Sequence, residues 1–299
     1  MAAETKTQLQ LLTVDAFASK PFTGNPAAVC PVPFGMVLSD ETMQNVAMEM
    51  NLSETAYIRP LTATDDFKSG SRFGLRWFTP LHEIKLCGHA TLASAAVLFY
   101  RFCNESKAIT FDTLSGELIV RRDGDSLSMD FPVGVTEPKT EADYEKMIKS
   151  LGNIPGVGDV RWCPSLRYVL VRLKDGMSRS EFEKWRCDIG QMEQSLSNVV
   201  VVIVTTRGTP EQDYVDDQGV AYDFVSRCFA PWSGVPEDPV TGSAQTVLIH
   251  YWSKELGKPE MYTRQCSKRG GDIRLTLEGD RVHMTGKATM VMEGTLTLE

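Results

Sequence analysis

The sequence predicts a mixed α/β (α+β) fold of two pseudo-symmetric units, each with a sheet rolled round a central buried helix. Three observations predict it. Two stretches look like copies of one another: Arg76-Trp77-Phe78-Thr79-Pro80 with Leu86-Cys87-Gly88-His89-Ala90, and Arg227-Cys228-Phe229-Ala230-Pro231 with Asp238-Pro239-Val240-Thr241-Gly242-Ser243-Ala244. Each leads into a segment, Thr91 to Phe102 or Val247 to Trp252, too apolar on all sides to lie on a surface. Short alternating segments separated by turn residues surround both, which is the pattern of half-buried strands. A helix with no polar face must be enclosed, and strands are what the sequence offers to enclose it.

The elements follow in order. Leu9 to Phe17 alternates as a first strand, with a turn at Lys20 to Pro26; Ala27 to Cys30 is a short extended piece ended by Pro31 and Pro33. Ser39 or Asp40 caps a helix through Met50, with Glu41 in its first turn and Asn51 as a left-handed stop. Ser53 to Ile58 and Phe73 to Phe78 are strands. Thr110 to Val120 and Ser126 to Phe131 form a hairpin about Asp123-Gly124, a strong turn signal. Composition turns polar and Pro-containing from Pro132 to Glu145, a domain crossing. Beyond it come helices near Glu141 to Leu151 and Ser180 to Glu193, and strands at Arg167 to Leu173, Val199 to Thr205 and Ala221 to Phe229. A tail hairpin turns at Gly279-Asp280, and Ala288 to Leu298 is the last strand. The domains are placed at residues 1–125 plus 286–299 and at residues 126–285.

Composition narrows the function classes. With 299 residues, 42% apolar and 23% charged, the chain has ordinary globular composition. A net charge of −8 and no Lys/Arg cluster beyond pairs exclude nucleic acid and anionic membrane as partners. The polar start, Met1 to Gln10, lacks the apolar core of a signal peptide, and the longest aliphatic run, Val199 to Val204, has strand length. Seven scattered cysteines, with no CxxC among them, read as reduced thiols, so the expected location is cytoplasmic. Four histidines without HExxH or paired zinc-type spacing predict no metal.

The two repeats also carry the chemistry. A helix start presents free N–H groups and the positive pole of the helix dipole, which favours an anion. If two such starts meet in an interdomain cleft, that cleft suits an enzyme acting on a small carboxylate.

Four runs are similar to the signatures of one family: Phe22-Thr23-Gly24-Asn25-Pro26-Ala27-Ala28-Val29, Asn51-Leu52-Ser53-Glu54-Thr55-Ala56-Tyr57, Leu86-Cys87-Gly88-His89-Ala90-Thr91, and Glu237-Asp238-Pro239-Val240-Thr241-Gly242-Ser243-Ala244. They resemble the PhzF family of phenazine-biosynthesis-like isomerases, in particular its animal members. The tail from Gln265 to Gly271 fits as well, and the likeness spans essentially the whole chain. It implies a diaminopimelate-epimerase-like fold, no cofactor, and a homodimer. It implies that Glu54 shuttles a proton as a catalytic residue and that Asp238 and His89 are catalytic beside it. Gly88 and His89, with Gly242 and Ser243, hold the substrate carboxylate, and Asn25 and Cys87 face the same site. The related epimerases use two cysteines; here only the first loop keeps one, Cys87, while the second offers Asp238 and Thr241, so a symmetric two-thiol mechanism is excluded.

The expected function is a cofactor-independent isomerase or epimerase of a small, amino-acid-like carboxylate. The alternative is a catalytically quiet metabolite-binding or adaptor protein with a protein partner, and hydrolase or decarboxylase chemistry on the same cleft is a third reading. Each site residue also has a plainer reading. Glu54 can be a strand-end carboxylate; the functional reading needs it desolvated enough to move a proton. Asp238 before Pro239 can be turn chemistry, Thr241 an N-cap, and Gly24-Asn25 a turn. His89, at a helix start where the dipole opposes an imidazolium, is expected to stay neutral. Cys87 is either a small buried hydrophobe or, with its pKa lowered by the helix start, a reactive thiol.

Overall fold

The computed structural model describes residues 7–298; residues 1–6 and 299, into which the reading of the polar N-terminus extends, lie outside them. The chain divides into two compact units, one of Met1–Asp130 with Thr285–Glu299 and the other of Phe131–Met284. No helix among the described residues is long and apolar enough to cross a membrane.

In unit 1 the strand Thr7–Ala16 lies between Ala288–Leu298 and Asn25–Pro31, antiparallel to both. Asn25–Pro31 runs parallel to Glu54–Pro60, which is antiparallel to Arg72–Phe78. Arg72–Phe78 is parallel to Ala108–Thr113, which is antiparallel to Gly116–Asp123. The helix Gly88–Ala96 touches Ala288–Leu298 near one end of this order and Gly116–Asp123 near the other, besides three strands between them. A sheet whose two ends reach the same helix is rolled round it. All residues from His89 to Ala96 are buried, as the apolar reading requires. The helix Asp40–Met50 packs on the other face with Met43, Val46 and Ala47. Ser39 caps it by accepting from Thr42 N, and Asn51 ends it at φ +48°.

Unit 2 repeats the scheme strand for strand. Val157–Cys163 is antiparallel to Tyr168–Leu173, which is parallel to Val201–Arg207. Val201–Arg207 is antiparallel to Phe224–Ala230, which is parallel to Glu260–Gln265, itself antiparallel to Gly271–Glu278. The sense of pairing (antiparallel, parallel, antiparallel, parallel, antiparallel) matches that of unit 1 from Thr7–Ala16 to Gly116–Asp123. The buried helix is Gly242–Leu256, closed by Gly257 at φ +67°. The internal duplication seen in two short stretches therefore extends over both whole units.

The structure revises several elements. The segment from Thr110 to Val120 is two strands joined by a tight turn at Leu114-Ser115, with Thr113 opposite Gly116 and Gly116 at φ +94°. The hairpin about Asp123-Gly124 stands, with Asp123 opposite Ser126. The expected helix from Ser180 to Glu193 is two helices, Arg179–Lys184 and Ile189–Ser195. The first stops at Trp185, whose backbone is extended (ψ 140°), and Asp188 caps the second by accepting from Gln191 N. Five strands among the described residues go beyond the sequence reading: Glu83–Ile84, Glu137–Lys139, Val157–Cys163, Val235–Asp238 and Glu260–Gln265.

Candidate active site

In unit 1 the structure brings together Asn25, Glu54, Cys87, Gly88 and His89. Asn25 opens the strand Asn25–Pro31, Glu54 opens the adjacent parallel strand, and the two strand starts lie side by side because Ala27 pairs with Glu54. Gly24 makes the entry to this loop possible. It sits at φ +68°, and a Cβ there would fall 2.1 Å from the Ala16 carbonyl oxygen. Cys87 is the residue before the helix, and Gly88 and His89 are its first two residues.

His89 is the hub. Its Nε2 lies 3.0 Å from Glu54 Oε2, with the two side chains 7% and 14% exposed. Its Nδ1 lies 3.4 Å from Cys87 Sγ and 3.3 Å from Asn25 Nδ2. Neither Glu54 Oε2 nor His89 Nε2 has a hydrogen bond of good alignment, although they are in ion-pair range. We take the distance as the decisive quantity, since charge attraction depends weakly on angle while hydrogen bonding depends on it steeply. The pair is thus a close charge contact whose facing atoms retain hydrogen-bonding capacity.

One expectation about protonation is corrected, for His89, and the alternative left open for Cys87 falls on the side of the buried thiol. Burial opposes an imidazolium at His89, but its interactions with Cys87 and Glu54, on either side of the ring, outweigh it and raise the pKa well above the ordinary value. The expected neutrality from the helix dipole loses because a carboxylate at 3.0 Å acts more strongly than a half-charge spread over a helix end. For Cys87, burial first and then the Glu54 charge raise the thiol pKa against the lowering effect of His89, so the helix start does not make it a thiolate. An amide has a donor end and an acceptor end, so Asn25 can serve the ring in either charge state.

Glu54, Cys87 and His89 bring an oxygen, a sulfur and a nitrogen within 4.8 Å of one another, a donor set that zinc accepts. Glu54 and Cys87 face opposite ring nitrogens, however, and one ion cannot use both sides of one imidazole. As arranged, Glu54 and Cys87 flank one imidazole on its two sides.

In unit 2 the corresponding place holds Asp238, Thr241, Gly242 and Ser243. Thr241 occupies the N-cap position of the helix, but its side chain makes no cap bond; Oγ1 donates instead to Asp238 Oδ2. The loop is held from below by Gln265, a fully buried residue. Gln265 Oε1 accepts from Thr241 N (2.9 Å), and its Nε2 donates to Asp238 O (2.7 Å) and Thr241 Oγ1 (3.2 Å). Ser267 Oγ donates to Pro239 O at 2.7 Å. Ser243, the second helical residue, lies 2.7 Å from the hydroxyl of Tyr168.

The repeated arginines have one job in both units. Arg76 grips Glu83 with Nε and NH2 at 2.6 and 2.8 Å; Arg227 grips Glu237 with Nε and NH2 at 2.7 and 2.8 Å. Each clasp ties the strand before the buried helix to the loop that leads into it. Sequence reasoning singled out the arginines and missed Tyr168 and the role of Gln265; the register of the parallel strands is what reveals them.

A family model described as phenazine biosynthesis-like protein matches residues 14–294. The mouse phenazine biosynthesis-like domain-containing protein 2 is 48% identical over 97% of this chain and 99% of its own length. A Pseudomonas aeruginosa protein named as an uncharacterised isomerase is 39% identical over 97% of this chain and 100% of its own. The crystal structure of an Enterococcus faecalis protein of the PhzF family superposes with a TM-score of 0.83 at 34% identity, covering 98% of this chain and 100% of that one. An Agrobacterium vitis hydroxyproline epimerase, solved with trans-4-hydroxy-L-proline, shares the fold alone: TM-score 0.51 and 14% identity, over 97% of this chain and 93% of that one.

Proposed function

Because the chain belongs to the family of phenazine biosynthesis-like (PhzF) proteins, we propose that it is a cofactor-independent isomerase of a small carboxylate, with Glu54 as the group that moves the proton. The observation that carries this reading is the Glu54–His89 contact. A carboxylate 86% removed from water is held 3.0 Å from an imidazole whose pKa is raised, so charge is balanced while the carboxylate keeps an oxygen without an aligned partner.

The step is a proton shift. Glu54 takes the proton from a carbon of the substrate, the electron pair stays on the substrate, and Glu54 returns the proton to another atom or face. The helix-start N–H groups of each unit, at Gly88-His89 in one and at Gly242-Ser243 in the other, are each suited to carboxylate binding, where donors fixed in advance stabilise developing negative charge. His89 holds Glu54 in place and compensates its charge. Asp238, fixed by Thr241 and Gln265, is the candidate acid-base group of unit 2. Val201, the first residue of its strand, stands at the place in unit 2 that Glu54 holds in unit 1, so the duplicated fold carries this glutamate once. That asymmetry supports a proton shift run by one principal base over a symmetric two-base exchange.

The test is a panel of D- and L-amino and hydroxy acids incubated with the protein in D₂O and followed by proton NMR. Loss of a carbon-bound proton signal from at least one acid, dependent on the protein, supports the reading. A panel untouched at high protein concentration, alongside stabilisation of the protein by none of its members, argues for the binding or adaptor alternative.

A further inference from the structure

Asn25 and Tyr168 open corresponding strands of the two units, although the register sets Tyr168 beside Val201 as it sets Ala27 beside Glu54. Each is the first residue of the strand that pairs antiparallel with the strand before it and parallel with the next. Each reaches the second residue of the buried helix: Asn25 lies 3.3 Å from His89 Nδ1, and Tyr168 Oη lies 2.7 Å from Ser243 Oγ. One contact recurs with all four side chains changed.

Resting on the carboxylate-binding role proposed for Ser243, we infer that Tyr168 is a positioning residue that donates its hydroxyl proton to Ser243 Oγ and thereby turns the Ser243 proton toward a bound carboxylate. A serine hydroxyl has one proton and two acceptor sites. A neighbour that only donates fills one acceptor site, so the serine proton must point elsewhere. Between a phenol and an alcohol the phenol is the stronger acid and the poorer acceptor, which favours Tyr168 as the donor. Burial, ahead of the opposing effect of Ser243, pushes its pKa up to about 12, so that it keeps its proton near neutrality. Tyr168 is 7% exposed while Ser243 is only half-buried, so the pair has one dry end and one end open to a ligand.

Two probes separate charge recognition from packing: benzoate, a planar carboxylate, and benzamide, its neutral counterpart of nearly the same shape. Affinities are measured by thermal shift and by ligand-observed NMR on the full chain. The wild type is expected to prefer benzoate. Tyr168→Phe, which keeps the ring, is expected to lower benzoate affinity by about tenfold and leave benzamide unchanged, since a hydrogen bond to a charged group is at stake. Ser243→Ala is expected to do the same, and the double variant to lose no more than either single one, because both break a single chain of donors. A wild type without preference, a Tyr168→Phe protein with the wild-type ratio, or additive losses in the double variant would each overturn the assignment. Glu54→Gln is expected to keep the benzoate preference. A protein that selects benzoate through Tyr168 and Ser243 but moves no deuterium thus retains this assignment and loses the catalytic one.

Discussion

Arg227 and Glu237 form a two-pronged ion pair, Nε to Oε1 at 2.7 Å and NH2 to Oε2 at 2.8 Å, with the arginine side chain only 3% exposed. The same guanidinium donates to the Phe182 and Trp185 carbonyls and lies 5.1 Å from the Trp185 ring centre. Its counterpart Arg76 keeps 30% exposure and shares its charge with both Glu83 and Asp40. Removing the carboxylate partner should therefore cost very different amounts. Glu237→Gln is expected to destabilise by about 3–5 kcal/mol, because a buried charge loses its counter-ion. Glu83→Gln should cost under about 1 kcal/mol, since Arg76 itself reaches solvent and Asp40 remains as its partner. Urea unfolding of the two variants checks this, and equal losses would refute the argument from burial.

Gln265 satisfies a backbone N–H and a backbone carbonyl of the Asp238 loop at once. Gln265→Leu fills similar volume but orphans both groups. The expected loss is about 1–3 kcal/mol for each group left without a partner, read again by urea unfolding. A neutral substitution would mean the loop holds its shape unaided.

The pH dependence of stability follows from His89. Its folded-state pKa is raised, so its contribution is fully present below the unfolded value of about 6.5 and is lost as pH rises through the folded value. The stability gap between the wild type and His89→Gln should be wide near about pH 6 and narrow toward alkaline pH. A gap that widens with pH would contradict the raised pKa.

Thiol chemistry should pass Cys87 by. Burial keeps it a thiol, whereas Cys103 is exposed. Brief iodoacetamide treatment near neutral pH, followed by peptide mapping, should label Cys103 well ahead of Cys87. Preferential labelling of Cys87 would restore the reactive-thiol reading.

These contrasts show where the sequence was informative. The duplication was legible because Arg76 and Arg227, and the pairs Gly88-His89 and Gly242-Ser243, recur with the same spacing logic around helices apolar on every side. Glu54, His89 and Asp238 stood out as candidates because they lie in runs whose combination is specific. Strand Glu260–Gln265 was hidden because two of its three inward residues, Thr263 and Gln265, are polar, so the alternation that marks a strand is absent from its letters. The break at Trp185 was hidden because apolar spacing continues through it, while the tryptophan turns inward to donate Nε1 to the Leu151 carbonyl. Tyr168 had no motif at all. Only the fold brings its hydroxyl to Ser243, 75 residues away in sequence, a long-range relation that no local pattern encodes. The protonation of His89 was misjudged for a related reason, since the partner that settles it is 35 residues away in sequence and 3.0 Å away in space.

The most direct measurement is deuterium incorporation from solvent into whichever carboxylic acid the wild type processes, compared with Glu54→Gln. The substitution keeps shape and removes the proton-accepting charge. Incorporation should fall by at least about a thousandfold while the affinity for the acid stays within about tenfold. Incorporation at the wild-type rate in Glu54→Gln would contradict the account at its centre.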